Sequence, residues 1–250
     1  MRTEAQGATW PEADEAGRQG RPAVLPFGAL EQHGPHLPLA TDTIMAEELA
    51  RRVADAVDGW LLPAIPFGDT AANDGYPGTV SLSFDTVRAI AVDLCRSLQR
   101  GGFAGLIIVN GDYGNQAPLR LAARDVSRSM AWPVLVIDYP GLEAAAASVC
   151  DTPAAGPGFY HADELETSVV LALRPELVHT ERATVGYPDM PLTLGSTPMG
   201  LDQVSPSGVF GDPRAADAGK GRRILDLLTE NAVALARSFL EAEVVSRSRR

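Results

Sequence analysis

Four short apolar runs alternate with stretches of helical spacing, and this alternation constrains the fold more than any other feature of the chain. The runs are VLPFG at 24–28, WLLPAIPFG at 60–68, GLIIVNG at 105–111 and VLVIDY at 134–139. They are rich in branched aliphatic residues and too short for helices, so they predict buried strands. Between the second and third runs, Phe84, Val87, Ile90, Ala91, Leu94 and Leu98 recur at helical spacing, with Ser83 placed to cap the start and Gly101-Gly102 to end it. Met45, Leu49, Val53 and Val57 mark a second amphipathic helix, and Ile224, Leu228, Ala232, Leu235 and Phe239 a long C-terminal one. Strands joined through helices of this length need crossover connections. The expectation is a single-domain three-layer α/β/α sandwich with a mainly parallel sheet. In such sheets ligands bind beyond the carboxyl ends of the strands, which directs attention to the loops after VLPFG and GLIIVNG.

The length of 250 residues suits one large domain. Residues 1–21 are polar and without periodicity, and are expected to form a flexible N-terminal arm. Residues 22–245 then form the domain, and 246–250 a solvated basic tail carrying Arg247, Arg249 and Arg250. A formal net charge of −11 argues against a broad basic surface for nucleic acid and leaves a small molecule or a protein as the expected partner. Of the two cysteines, Cys95 falls on a helical apolar stripe and reads as a core residue, so no disulfide framework is implied. The N-terminus has no apolar targeting core and no run approaches the roughly 18 apolar residues of a membrane span, so a cytoplasmic protein is expected.

The most informative stretch is ALEQHGPHLPLATDTIMAEELA, which follows the first strand. Glu31 and His33 lie two apart, so in extended chain both point to one side, and Asp42 at the entry of a helix can return to the same point. A carboxylate and imidazole set without thiolate suits Zn²⁺, Mn²⁺ or Fe²⁺. Spacing alone equally allows Asp42 to be a plain helix cap, with Glu31 and His33 satisfied by backbone.

The series Glu31-Gln32-His33-Gly34-Pro35-His36-Leu37-Pro38-Leu39 followed by Thr41-Asp42 resembles the signature of the creatininase (creatinine amidohydrolase) family. The likeness continues through Gly78-Thr79-Val80-Ser81-Leu82, Val109-Asn110-Gly111, Asn115, His161-Ala162, Glu166-Thr167-Ser168 and Gly208-Val209-Phe210-Gly211-Asp212-Pro213. The resemblance implies a creatininase-like fold and two divalent ions per subunit, Zn²⁺ and/or Mn²⁺ with Fe²⁺ as a further option. Glu31, His33 and Asp42 would be ligands and Asp42 the bridge. Asp112 stands where the family carries a metal-binding His, and Gly114 where creatininase has a further Glu. The missing acidic ligand is therefore assigned to Glu166, with Glu164 a weaker candidate. His161 is implied as the catalytic proton-transfer residue beside Glu166, and Asp163 replaces a Gly usual in that motif. Tyr113 either walls the substrate pocket or simply packs. Asn73, Asp74 and Tyr76 lie in a loop that can face the same site, while His36 and His179 are given no chemistry.

The activity so implied is that of a metal-dependent amidohydrolase acting on a non-peptide C–N bond of a small amide, cyclic amide or related metabolite in a specialised pathway. Metal-activated water attacks the carbonyl carbon and His161 delivers a proton to the departing nitrogen. Asp112 and Asp163, both departures near the site, argue against creatinine as substrate. They also keep open a relative with altered chemistry, or one that binds a small ligand without turnover. The resemblance further implies a homo-oligomer, a hexamer being favoured. Neither Gly-x-Ser-x-Gly nor a P-loop occurs, which removes the serine-hydrolase and nucleotide-hydrolase readings.

Overall fold

The structure, a computed structural model, describes residues 4–248, with side chains through residue 243. Four parallel strands form one sheet in the order β2-β1-β3-β4, with β1 at Ala23–Phe27, β2 at Trp60–Leu61, β3 at Leu106–Asn110 and β4 at Val134–Ile137. Seven α-helices accompany it: α1 (Trp10–Arg18), α2 (Thr41–Ala56), α3 (Phe84–Arg100), α4 (Gln116–Met130), α5 (Leu142–Val149), α6 (Glu164–Leu173) and α7 (Ala218–Ser248).

Side-chain alternation along the strands divides the core in two and produces the three layers. Val24, Ile107, Val109 and Ile137 face one side and pack with α2, α5, α6 and α7 through Leu49, Val53, Leu165, Val169, Ile224 and Leu228. Ala23, Leu25, Phe27, Leu106 and Ile108 face the other and pack with α1, α3 and α4 through Ala16, Val87, Ala91, Cys95, Leu119 and Val126. Every residue of β1 and β3 is buried, as a parallel sheet covered on both faces requires.

Several helix boundaries follow their sequence signals. Ser83 Oγ accepts the Thr86 N–H at 3.3 Å to start α3, and α6 stops at Leu173, ahead of Pro175. The second apolar run behaves differently. Only Trp60 and Leu61 join the sheet, with an isolated bridge from Phe27 to Ile65, because Pro63 and Pro66 cannot donate to a ladder.

The expected flexible arm is corrected: residues 10–18 form α1, started by the Glu12 carboxylate, which accepts the Thr9 N–H at 2.7 Å. Ala16 is fully buried in the α3/α4 layer. The segment does have the periodicity of an amphipathic helix, but its buried positions are the small Ala16 and Gly17 among polar neighbours, so no large apolar residue marks the face that seats it. The tail expected at 246–250 begins inside α7, which runs to Ser248; its last two residues lie outside those described.

Candidate metal centre

β1 and β3 end side by side, Phe27 opposite Asn110, so the loops that follow them leave the sheet together. The first turn of α2 lies across these strand ends. A Cβ at Gly111 would sit 2.4 Å from the Asp42 carbonyl oxygen, so a glycine there is what allows α2 to approach and bring Asp42 over the sheet. Asp42 does not cap the helix. The N-cap position is Ala40, and Asp42 lies within the first turn, nearly fully buried. The loop carrying Glu31 and His33 is clamped by neighbours: Glu31 N–H donates to the Leu39 carbonyl, and Gln32 N–H to Thr79 Oγ1 at 3.1 Å.

His33 is fully buried, and its Nδ1 donates to the Glu31 carbonyl at 3.2 Å. A carbonyl can only accept, so Nδ1 carries the proton and the Nε2 lone pair is free. Nε2 has no hydrogen-bond partner, yet it stands 3.2 Å from Asp42 Oδ1, 3.7 Å from Glu166 Oε2 and 4.0 Å from Glu31 Oε1. Asp42 Oδ2 and Asp112 Oδ2 are also buried without partners. Burial raises the pKa of all four carboxylates. Asp112 rises to about 6 and Glu166 to about 8, while Glu31 and Asp42 rise well above the usual range, Asp42 pushed further by Asp112 and Glu31 by both Asp42 and Asp112. Acceptors that converge in this way need a cation or bound protons between them. The ligand atoms form two compatible sets, Glu31 with Asp42 and Asp112, and His33 with Asp42 and Glu166, so Asp42 is common to both. The oxygen-rich donors with one imidazole fit Zn²⁺ or Mn²⁺.

His161 packs against His33 with ring centroids 4.4 Å apart, and its Nδ1 lies 3.7 Å from Glu31 Oε1. Its tautomer is set by a chain of amides. Gly34 N–H donates to Gln32 Oε1 at 2.9 Å, which orients the Gln32 amide so that Nε2 faces Asn73 Oδ1 at 2.9 Å and His161 Nε2 at 2.7 Å. Asn73 Nδ2 in turn donates to Glu31 Oε2 at 2.8 Å. His161 Nε2 therefore accepts, and Nδ1 carries a proton directed at the carboxylates. Burial, then the neighbouring His33, hold the His161 pKa well below its ordinary value, so the ring is neutral. A third possible metal group, Glu31 with His33 and His161, would need a bare Nδ1 and conflicts with this tautomer.

Asp112 enters the site from the end of β3. Its Oδ1 accepts the Gly114 N–H at 3.2 Å and its Oδ2 joins Glu31 and Asp42. Asn110 shapes this loop by donating to the Asp112 carbonyl at 2.7 Å and to Asp138 Oδ1 at 2.8 Å. Gly114 has no room for the Glu of creatininase, since a Cβ there would lie 1.9 Å from the Asp69 carbonyl oxygen. Glu166 is held by Ala162 N–H at 2.5 Å and Asp163 caps α6. Glu164 turns away to Lys220 and Thr152, which hold its pKa low despite burial, and it contributes nothing to the centre.

A cavity of about 600 Å³ opens over these groups, with Tyr113, Gln116, Asp138, Tyr139, Glu143 and Tyr160 in its wall. Tyr113 is 82% exposed and does not pack into the core. Of the loop at 73–76 only Asn73 reaches the site: Asp74 is exposed, and Tyr76 donates to the Ser205 carbonyl. Gln32, Asn73 in its bridging role, and Tyr139 are the site residues that sequence reasoning passed over. The available signal for Tyr139 was its place immediately beyond β4, at the carboxyl edge where ligands bind.

The Creatininase family model, described as creatinine amidohydrolase, matches residues 6–236. The chain belongs to the creatininase family. It is 34% identical over 240 residues to the mycofactocin precursor peptide peptidase of Mycobacterium ulcerans (strain Agy99), covering 90% of this chain and 84% of that one. It is 28% identical to the creatinine amidohydrolase of Pseudomonas putida, covering 83% and 85%. Among solved structures, a mutant creatininase of Zn-Zn type superposes with a TM-score of 0.83 at 25% identity, covering 96% of this chain and 99% of that one. A manganese creatininase gives 0.80 at 25% identity, with the same coverage. As a creatininase-family member with this donor set, the chain is a metal-dependent hydrolase of C–N bonds. Among its described residues, no helix is long and apolar enough to cross a membrane.

Proposed function

We propose that the chain hydrolyses a peptide amide in a specialised biosynthetic pathway, in preference to the non-peptide C–N bond expected from sequence. The likeness to the mycofactocin precursor peptide peptidase, stronger than that to creatinine amidohydrolase, supports this choice of bond. The observation that carries the hydrolytic reading is the convergence of His33 Nε2, Asp42 Oδ2 and Asp112 Oδ2, all buried and unpartnered, beside a proton-bearing His161.

In this reading Glu31, Asp42 and Asp112 would hold one divalent ion and His33, Asp42 and Glu166 a second, Asp42 being common to both sets. Bound ions of this kind polarise a carbonyl and lower the pKa of water. The proton that the departing nitrogen takes up as the C–N bond breaks comes from the attacking water. The neutral His161 ring, in the tautomer that Gln32 sets, points its Nδ1 proton at the reacting group as a hydrogen-bond donor. Glu31 lies next to that proton and orients it. Tyr113, exposed at the cavity mouth, contacts the substrate chain outside the centre. A cytoplasmic hexamer is part of the same proposal.

The test is elemental analysis of protein grown with Zn²⁺ and Mn²⁺ present, followed by assay against short peptides and creatinine. Two ions per chain, peptide cleavage, and loss of turnover with retained metal in His161→Ala are expected. Metal content near zero, undiminished metal in Asp42→Ala, or turnover of creatinine alone would overturn the reading.

A further inference from the structure

We propose that Tyr139 is a catalytic hydrogen-bond donor, its hydroxyl meeting the oxygen of the scissile carbonyl as that oxygen gains negative charge. The inference rests on the hydrolytic reading above and adds to it the group that stabilises the oxyanion.

Three observations carry it. First, Tyr139 Oη is shielded from solvent and has no hydrogen-bond partner, although a phenol buried without one is disfavoured. Second, Tyr139 lines the cavity that also contains Glu31, Asp42, Asp112, His161 and Glu166, while its ring packs against the core cluster of α2, α6 and α7. The ring is thus anchored on the core while the residue borders the cavity over the metal centre. Third, its backbone has φ of +44°, in the left-handed region that a tyrosine rarely adopts, immediately before Pro140. The turn continues through Gly141 at φ +84°, and the Leu142 N–H closes it on the Tyr139 carbonyl at 3.1 Å. An aromatic residue kept in a strained conformation, with its one polar atom unsatisfied, marks a group awaiting a partner.

The identity of that partner follows from the surroundings. Asp42, Glu166 and Asp112 line the same cavity as the phenol, whose hydroxyl ordinarily keeps its proton at neutral pH. All three are acceptors, yet none bonds to it. A permanent donor next to an acidic centre suits an oxygen that enters with the substrate and becomes anionic during attack. Placing such a donor on a rigid element is how enzymes stabilise a tetrahedral oxyanion.

The experiment compares wild type with Tyr139→Phe, using acetohydroxamate as the probe because its oxygens occupy a metal centre as a bound carbonyl would. Metal-free Tyr139→Phe should melt at or above the wild-type temperature, since only an unsatisfied hydroxyl is removed. Zinc content should be unchanged, and acetohydroxamate affinity for the zinc-loaded protein should fall about tenfold or more. Equal affinity would overturn the proposal. So would loss of zinc, or a lower melting temperature without metal, because each makes the hydroxyl structural. Wild-type protein that takes up no zinc would instead defeat the hydrolytic reading itself, and this proposal with it.

Discussion

Gln32 Nε2 stands 2.7 Å from His161 Nε2, and because Gly34 N–H already occupies Gln32 Oε1, the contact is a donation from amide to imidazole. A residue between two metal-ligand candidates therefore sets the protonation pattern of a third side chain. Replacing Gln32 by Met keeps the length and removes the donor. Turnover should fall about 10- to 100-fold with metal content unchanged, and ¹⁵N signals of the His161 ring should change from one tautomer to a mixture. Unaltered turnover together with an unaltered ring spectrum would refute the role.

Asp112 departs from the family pattern, yet its free Oδ2 joins Glu31 and Asp42. Asp112→Ala should lose one ion and keep the other, since His33, Asp42 and Glu166 remain. Asp112→His should fold normally and shift preference toward Zn²⁺, imidazole being the softer donor. Competition between Zn²⁺ and Mn²⁺, read by elemental analysis, checks both, and unchanged stoichiometry in the Ala variant would exclude Asp112 as a ligand.

The metal-free protein should lose stability as pH rises from 6.5 to 8. Burial raises Glu166 from 4.5 to about 8 and Asp112 from 3.8 to about 6. The folded chain therefore binds more protons than the unfolded one, and the stability this gives is present at low pH and fades as pH passes the folded values. Burial lowers His36 from 6.5 to about 4 and depresses His161, which act in the opposite sense but only below pH 6.5. Zn²⁺ takes the place of the protons and should flatten or reverse the slope. Melting curves at pH 6.5 and 8, with chelator and with Zn²⁺, test this; a rising melting temperature in chelator would contradict it.

Ala16 seats α1 on the core with no exposed surface. Ala16→Asp should destabilise the fold by roughly 3 kcal/mol, the scale of an uncompensated buried charge. Denaturant unfolding that reveals no change would mean the helix detaches freely in solution.

The sheet and its main helices were legible because β1 and β3 are buried along their whole length and α3 and α7 keep a clear apolar stripe. Glu31, His33 and Asp42 could be read through the resemblance to the creatininase family, since strand-end position and a two-residue spacing alone left a plain helix cap equally open. Gln32 and Tyr139 could not. Gln32 acts through a contact 129 residues away along the chain, and Tyr139 matters through what its hydroxyl lacks. Neither leaves a local pattern. Sequence ranked Glu164 behind Glu166, and in the fold Lys220 from α7 together with Thr152 draws Glu164 away from the centre.

The close approach of Gly114 to the Asp69 carbonyl limits which ligand sets this scaffold can hold. A creatininase-like ligand set cannot be restored here by one mutation, because any side chain at 114 collides with the backbone of another loop. The loop at Asp69 would have to withdraw first. Asn115, whose Oδ1 accepts the Asp69 N–H and whose Nδ2 donates to the Gly28 carbonyl, ties that loop to the end of β1. An acidic ligand at position 114 therefore requires the loop at Asp69 and its tie to β1 to change together with it.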